Sequence, residues 1–439
     1  MKKILSLVLT TVLLLSVITG CGNKAADSTN TSGDSGGPVT LRFSWWGGDE
    51  RRDATLAVIA QYEKEHPNVT IEPEYGSSDG YSDRLSTQLA AGTAPDIIQI
   101  DPAFMPSLVT ANANYFINYN DFGFDFSNFD PNYYTQRING FYDGKQLGIP
   151  TGLSGCMLLV NQDLATKFSV DFSKAYTFDD LLTWGKKVHD TDSSIFMLEM
   201  NKDVIAKMFV NNYLKQLTGL TFFDETKKTL NYSEAQLTQA YTYVKSLYDN
   251  NVVAPASYMA AYSGDTIQTD PNWIKGKYVA SYTYLSTGPV LRAANPTAKY
   301  SAGKFAIMSN AKIDGWNANT PQVIAVNAKS KNSKEAVKFV DYFFNNSDSM
   351  TTLGITRSIP STAKARGIAA ANGKLDSVIS QAGDISSSYK GLVDDKYYSS
   401  PEAMQIIIDQ VEAVGYGAST PSTAAKDTVK LLEKYISAK

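Results

Sequence analysis

The chain has 439 residues and carries 40 Lys plus Arg against 44 Asp plus Glu, a formal net charge of -4, which gives no general attraction to nucleic acid or anionic lipid. Its 5 Trp, 26 Tyr and 19 Phe contrast with only 2 His and 2 Cys, so His-rich metal sites, zinc fingers and disulfide scaffolds are excluded and Cys-His or Ser-His catalysis has few candidates. The length suits two domains, each large enough to bury its own core.

At the N-terminus, Lys2 and Lys3 precede an apolar run over 4–18 broken only by Ser and Thr, then Thr19, Gly20 and Cys21. This is the order of a secretory signal over 1–20, and the run is too short for the ~20 residues a membrane-spanning helix needs. Ile18-Thr19-Gly20-Cys21 resembles the lipobox of bacterial lipoproteins, which implies that Cys21 is lipidated. Residues 21–38, rich in Gly, Ser, Thr, Asn and Asp, read as a flexible tether. Lipid and tether together would hold a water-soluble body at a membrane surface. The second cysteine, Cys156, lies in an apolar context and reads as a buried structural thiol.

Strand and helix signals then alternate. Leu41, Phe43 and Trp45 mark a strand that turns at Gly47-Gly48; Thr55, Val58, Ile59 and Tyr62 mark an amphipathic helix stopped by Pro67. Val69 and Ile71 open a second strand, and Tyr81, Leu85 and Leu89 a second helix ending at Gly92. The run 96–101 is a third strand, apolar on both faces, as in a parallel sheet covered by helices. The β-α-β-α-β order is that of an open α/β sheet, whose ligands bind outside the carboxyl ends of the strands. Three loops are thereby selected: 45–50, 76–81 and 101–104. Farther on, Gly148-Ile149-Pro150-Thr151-Gly152 punctuates the chain, Thr177 caps a helix, and 237–247 is helical. Val323-Ile324-Ala325-Val326 is a short strand before a Ser333-capped helix, and Ala425, Val429, Leu432 and Ile436 stripe a closing helix.

Three blocks carry a wider resemblance: Trp45-Trp46-Gly47-Gly48-Asp49, Tyr62-Glu63-Lys64-Glu65-His66-Pro67-Asn68-Val69, and Leu89-Ala90-Ala91-Gly92-Thr93-Ala94-Pro95-Asp96-Ile97-Ile98. In order and spacing the chain resembles the family 1 extracellular solute-binding proteins, sugar-binding lipoproteins of ATP-driven (ABC) importers. Asn161-Gln162-Asp163-Leu164, the Glu335-Ala336 helix and Arg357-Ser358-Ile359-Pro360 agree. The resemblance implies an α/β, two-lobed periplasmic-binding-protein-like clamshell of type II, with open mixed sheets covered by helices and a ligand cleft between the lobes. Crossings would fall near 150, 306 and 347, giving an N-terminal lobe of 39–149 plus 307–347 and a C-terminal lobe of 150–306 plus 348–439. It further implies a non-enzymatic monomer without cofactor or metal, lipid-anchored on the extracellular face of the cytoplasmic membrane. Its partners would be an oligosaccharide and the transmembrane subunits of an ABC permease, with no nucleic acid and no membrane contact beyond the anchor.

A sugar needs flat rings for its C–H faces and directed polar groups for its hydroxyls. Trp45 and Trp46 adjoin the first loop and point to opposite sides of the strand; Trp45 continues the core phase, which favours Trp46 for the cleft. Asp49 is either a helix cap or a hydroxyl acceptor, and Arg51 or Arg52 either reaches ligand or pairs with Asp49 or Glu50. Asp79 is a plausible cap, Tyr81 begins an apolar stripe with its hydroxyl free to reach outward, and Asp101 closes a buried strand at the binding edge. The resemblance adds Ser154 and the pair Tyr282 and Tyr284. Trp316, in a polar loop, is either a hinge plug or a ligand contact, and Arg357 braces the cleft floor. Competing readings are a secreted glycoside hydrolase using two of Asp49, Asp79 and Asp101, a binder of uronic-acid oligosaccharides through its arginines, and an adhesive surface protein.

Overall fold

Alternation along β1 (Val39–Trp46) sends Leu41, Phe43 and Trp45 to one face, where they are almost completely buried. The computed structural model describes residues 37–439 apart from Asp79, Ala113 and Ser263. The leader, Cys21, nearly all of the tether and the candidate Asp79 therefore lie outside the described residues.

β1 pairs in parallel with β2 (Val69–Gly76) and with β3 (Ile97–Ile100). Strand Val323–Val326 joins β3 antiparallel, and Ile149–Pro150 closes this five-stranded mixed sheet beyond it. Helix α1 (Asp49–Glu65) buries Thr55, Val58, Ile59 and Tyr62, the stripe read from the sequence, and covers the Phe43 face together with helix Ser333–Asn345. On the other face α2 (Tyr81–Ala91) buries Tyr81, Leu85 and Leu89 and stops at Gly92, whose φ of 72° needs no side chain. β3 is apolar on both sides because it is covered twice: Ile97 enters one core, Ile98 and Ile100 the other.

A second, four-stranded mixed sheet runs in the order Tyr300–Gly303, Cys156–Asn161, Tyr278–Tyr284, Phe196–Glu199. Helices Phe178–Thr191, Glu234–Asp249, Pro401–Gly415 and Pro421–Ser437 share its larger core. The first of these begins with a full capping box between Thr177 and Asp180.

Three passes of chain join the two sheets. Thr151 N donates to Gln322 O at 3.0 Å, Ser154 pairs with Asn319, and Gly152–Leu153 pairs antiparallel with Ile359–Pro360. A Cβ on Gly152 would lie 2.5 Å from the carbonyl oxygen of Arg357, so only glycine permits this approach. The second and third passes lie beyond the expected positions near 306 and 347. Ile307, Met308 and Trp316 still pack on the second core, because the Trp316 ring finds apolar partners there. Helix Ser347–Leu353 packs on α1 instead, where Gln61 Nε2 donates to Thr352 Oγ1 at 2.8 Å.

Candidate ligand cleft

The parallel strands β1, β2 and β3 end together, and the loops after the first two are tied: Gly47 N donates to Gly76 O at 3.2 Å. Gly47, at φ +152°, leaves room for Arg51, whose Cδ would lie 2.6 Å from a Cβ there. Arg51 folds over the loop, donating from Nη1 to Trp46 O at 3.0 Å and from Nε to Thr356 O at 3.2 Å, and burial lowers its pKa. Arg52 instead pairs with Asp49 at 2.6 Å and Asp53 at 2.8 Å. Asp49 is the first residue of α1, with Gly48 at the cap position, so its carboxylate does not cap the helix; it stays 84% exposed. Asp101 is exposed just past β3, and its Oδ1 accepts from Ala103 N at 2.8 Å. That bond fixes one oxygen and leaves the other to accept elsewhere.

At the second sheet, Tyr284 ends its strand directly opposite Cys156 and is 39% exposed. Desolvation pushes its phenol up to about 12, with Cys156, Asp203 and Asp394 adding to the effect. The Cys156 thiol, half-buried where full burial was expected, is likewise held up at about 12 by desolvation and Asp394, which disfavours the thiolate. Lys215, whose side chain is 1% exposed, pairs with Asp394 at 2.6 Å, and Asn211 Nδ2 donates to the same carboxylate at 2.8 Å. Ser154 is half-buried at the first crossing, its N–H donating to Asn319 O at 2.8 Å.

Several residues expected at the ligand belong to the cores. Trp45 is 1% exposed, packed on Phe43 with ring centroids 4.8 Å apart. Tyr282 is fully buried, its hydroxyl bonded to that of Tyr176 at 2.5 Å and accepting from Ala306 N. Trp316 stacks on Phe305 at 4.4 Å and donates its indole N–H to Ala306 O at 3.0 Å, which satisfies its one side-chain polar atom inside the core. Tyr81 is buried and its hydroxyl donates to Ser44 Oγ at 3.1 Å rather than reaching outward. Trp46, half-buried, leans on Tyr81 with centroids 4.8 Å apart. Arg357, also buried, bridges Thr55 Oγ1 at 2.9 Å and Gln99 Oε1 and lies over the Phe343 ring.

Two features escaped the sequence. The Lys215–Asp394 pair joins distant segments whose residues carry no local signal. Tyr75 is half-exposed at the end of β2, one residue before the loop selected from the sequence; the signal that drew attention to Trp46, an aromatic ending a strand, was present there too.

Among the described residues no helix is long and apolar enough to cross a membrane. The family model described as bacterial extracellular solute-binding protein matches residues 48–349. An uncharacterised ABC transporter extracellular-binding protein of Pyrococcus horikoshii is 25% identical over 251 residues, 53% of this chain; the chain thus spans about half (56%) of that relative. A family 1 extracellular solute-binding protein from Alicyclobacillus acidocaldarius superposes with a TM-score of 0.80 at 23% identity, covering 92% of this chain and 100% of the other. A periplasmic oligogalacturonide-binding protein from Yersinia enterocolitica superposes with a TM-score of 0.71 at 25% identity, covering 91% of this chain and 99% of the other. The shared fold is a two-lobed α/β one.

Proposed function

The chain belongs to the bacterial extracellular solute-binding protein family, and from that premise we propose that it captures an oligosaccharide between its two lobes and delivers it to an ABC permease. It does so as a monomer, lipid-anchored through Cys21 on the extracellular face of the cytoplasmic membrane. The observation that carries this reading is the pair of strand-end surfaces, one per sheet, each combining a partly exposed tyrosine with a carboxylate held by a cation: Tyr75 near Asp49, which Arg52 holds, and Tyr284 near Asp394, which Lys215 holds. A ligand that bridges two lobes joined only by narrow chain crossings favours their closed arrangement, and closure is a signal a permease can read. Calorimetry against a panel of neutral and acidic oligosaccharides, with X-ray scattering of the same samples, tests it. Binding accompanied by a smaller radius of gyration is expected; a verified ligand without compaction counts against capture by closure.

A second reading, an acidic oligosaccharide, has its own support. Arg357 is a buried guanidinium whose pKa is lowered to about 9 by desolvation and by Arg51 beside it. Neither arginine forms an ion pair with a carboxylate among the described residues. A uronate reaching Arg51 would neutralise this charge. Affinity for galacturonides that falls with salt, against none for neutral sugars, would favour it. The hydrolase reading has less support: Asp49 and Asp101 are exposed to water, not in the desolvated setting that suits a general acid. Incubation with the bound sugar is expected to release no shortened products.

A further inference from the structure

Three aromatic residues stand out as exposed among the described large apolar side chains: Tyr75 at 50%, Tyr284 at 39% and Tyr416 at 50%. Tyr416 follows a helix, whereas Tyr75 lies at the carboxyl end of β2 and Tyr284 at that of Tyr278–Tyr284. Tyr75 is held firmly for an exposed side chain. It sits opposite Trp45 in the parallel β1–β2 ladder, and its ring lies against the indole with centroids 5.3 Å apart and planes 35° from parallel. Trp45 is in turn packed on Phe43, so one side of the Tyr75 ring is fixed by a buried aromatic stack while half of the residue stays open to water.

The surroundings are polar and directed. Arg52 lies near Tyr75 and holds the exposed Asp49 and Asp53. A flat ring fixed in orientation beside an anchored carboxylate suits a pyranose: its C–H face lies on the ring and a hydroxyl donates to the carboxylate, with little entropy lost on binding. We propose that Tyr75 is the sugar-stacking platform of the first lobe, backed by Trp45, with Asp49 accepting a hydroxyl of the same sugar unit. This role, given from sequence to Trp46 or Trp45, passes to a residue on the neighbouring strand. The inference rests on the carbohydrate reading above and names the surface that meets the sugar.

A structural role as a cover for Trp45 makes different demands, and three variants separate the two. Tyr75→Leu keeps apolar cover over Trp45 but has no ring, Tyr75→Phe keeps the ring without the hydroxyl, and Tyr416→Leu removes an exposed tyrosine away from the strand ends. Calorimetry with an oligosaccharide bound by the parent is expected to show roughly tenfold or greater weakening for Tyr75→Leu, at an unchanged melting temperature, and a change within about threefold for Tyr75→Phe. Tyr416→Leu is expected to bind as the parent does. Parent-like affinity in Tyr75→Leu, or equal losses in Tyr75→Leu and Tyr416→Leu, overturns the platform while leaving the carbohydrate reading standing. A parent that binds no sugar in the panel removes both.

Discussion

Glu199 ends its strand inside the protein with no exposed surface, and only one of its oxygens has a partner, Ser281 Oγ at 2.7 Å. Desolvation, with Asp270 adding to it, raises its carboxyl to about 8 despite the Ser281 hydrogen bond. The folded protein thus keeps a proton that the unfolded chain releases near the ordinary value of 4.5. Stability therefore falls as pH rises from that value toward about 8, with a slope of up to about 1.4 kcal/mol per pH unit from this residue. Glu199→Gln keeps the shape without the proton, and its melting temperature is expected to vary less over that window than the parent's; parallel pH profiles would refute the assignment. At this scale the sequence was only partly legible. Alternation favoured the core for Trp45, since its phase follows Leu41 and Phe43, and burial there removes it as a ligand candidate. Trp316 and Tyr282 could not be placed, because the partners that bury them, Phe305 and Tyr176, lie in other segments. An aromatic in a polar loop looks the same whether its ring meets ligand or core.

Elements were far more legible, since periodicity and caps are local. The stripe of α1, the Gly92 stop of α2 and the doubly covered β3 all follow from spacing. The uncertainty sits at helix starts, where the backbone decides: of the two roles open to Asp49 the cap falls away, since Gly48 holds that position, and Asn332 rather than the expected Ser333 precedes helix Ser333–Asn345. The π-helical turn Ile205–Val210 had no sequence signal, because an apolar run reads the same in either helix. Thr177 offers a clean measure of a cap. Its Oγ1 accepts from Asp180 N at 3.0 Å while Asp180 Oδ2 accepts from Thr177 N at 2.8 Å. Thr177→Ala is expected to lower unfolding free energy by about 1 kcal/mol in urea titrations. Sugar affinity should stay unchanged, since the cap belongs to helix Phe178–Thr191 and to none of the strand-end loops.

At the scale of the whole molecule, the two-sheet architecture followed from the family resemblance and not from composition, which does not change at the crossings. What the sequence hid was where the second and third passes occur, because that depends on pairings such as Ser154 with Asn319 and Gly152–Leu153 with Ile359–Pro360. Gly152 fits against two carbonyl oxygens of the returning chain, so the backbones touch at the place where the lobes would have to move. The proposed closure would turn lobes joined in this way about a narrow set of backbone bonds while each core stays packed.

The same interleaving bears on how the protein is made. Val323–Val326 is an inner strand of the first sheet, and Pro421–Ser437 completes the core of the second. A chain emerging from the ribosome therefore carries β3 with an open edge until Val323–Val326 appears, and the second core does not close until the last helix is free. Such long-range pairing makes each sheet wait for chain far beyond its first strands. A chain ending at residue 420 is expected to lose its second-sheet half to protease far faster than the full chain does, and equal lifetimes of that half in the two chains would contradict it. Until Pro421–Ser437 has left the tunnel, the strands of the second sheet are made but not sealed, and that part of the newly made polypeptide stays threadable.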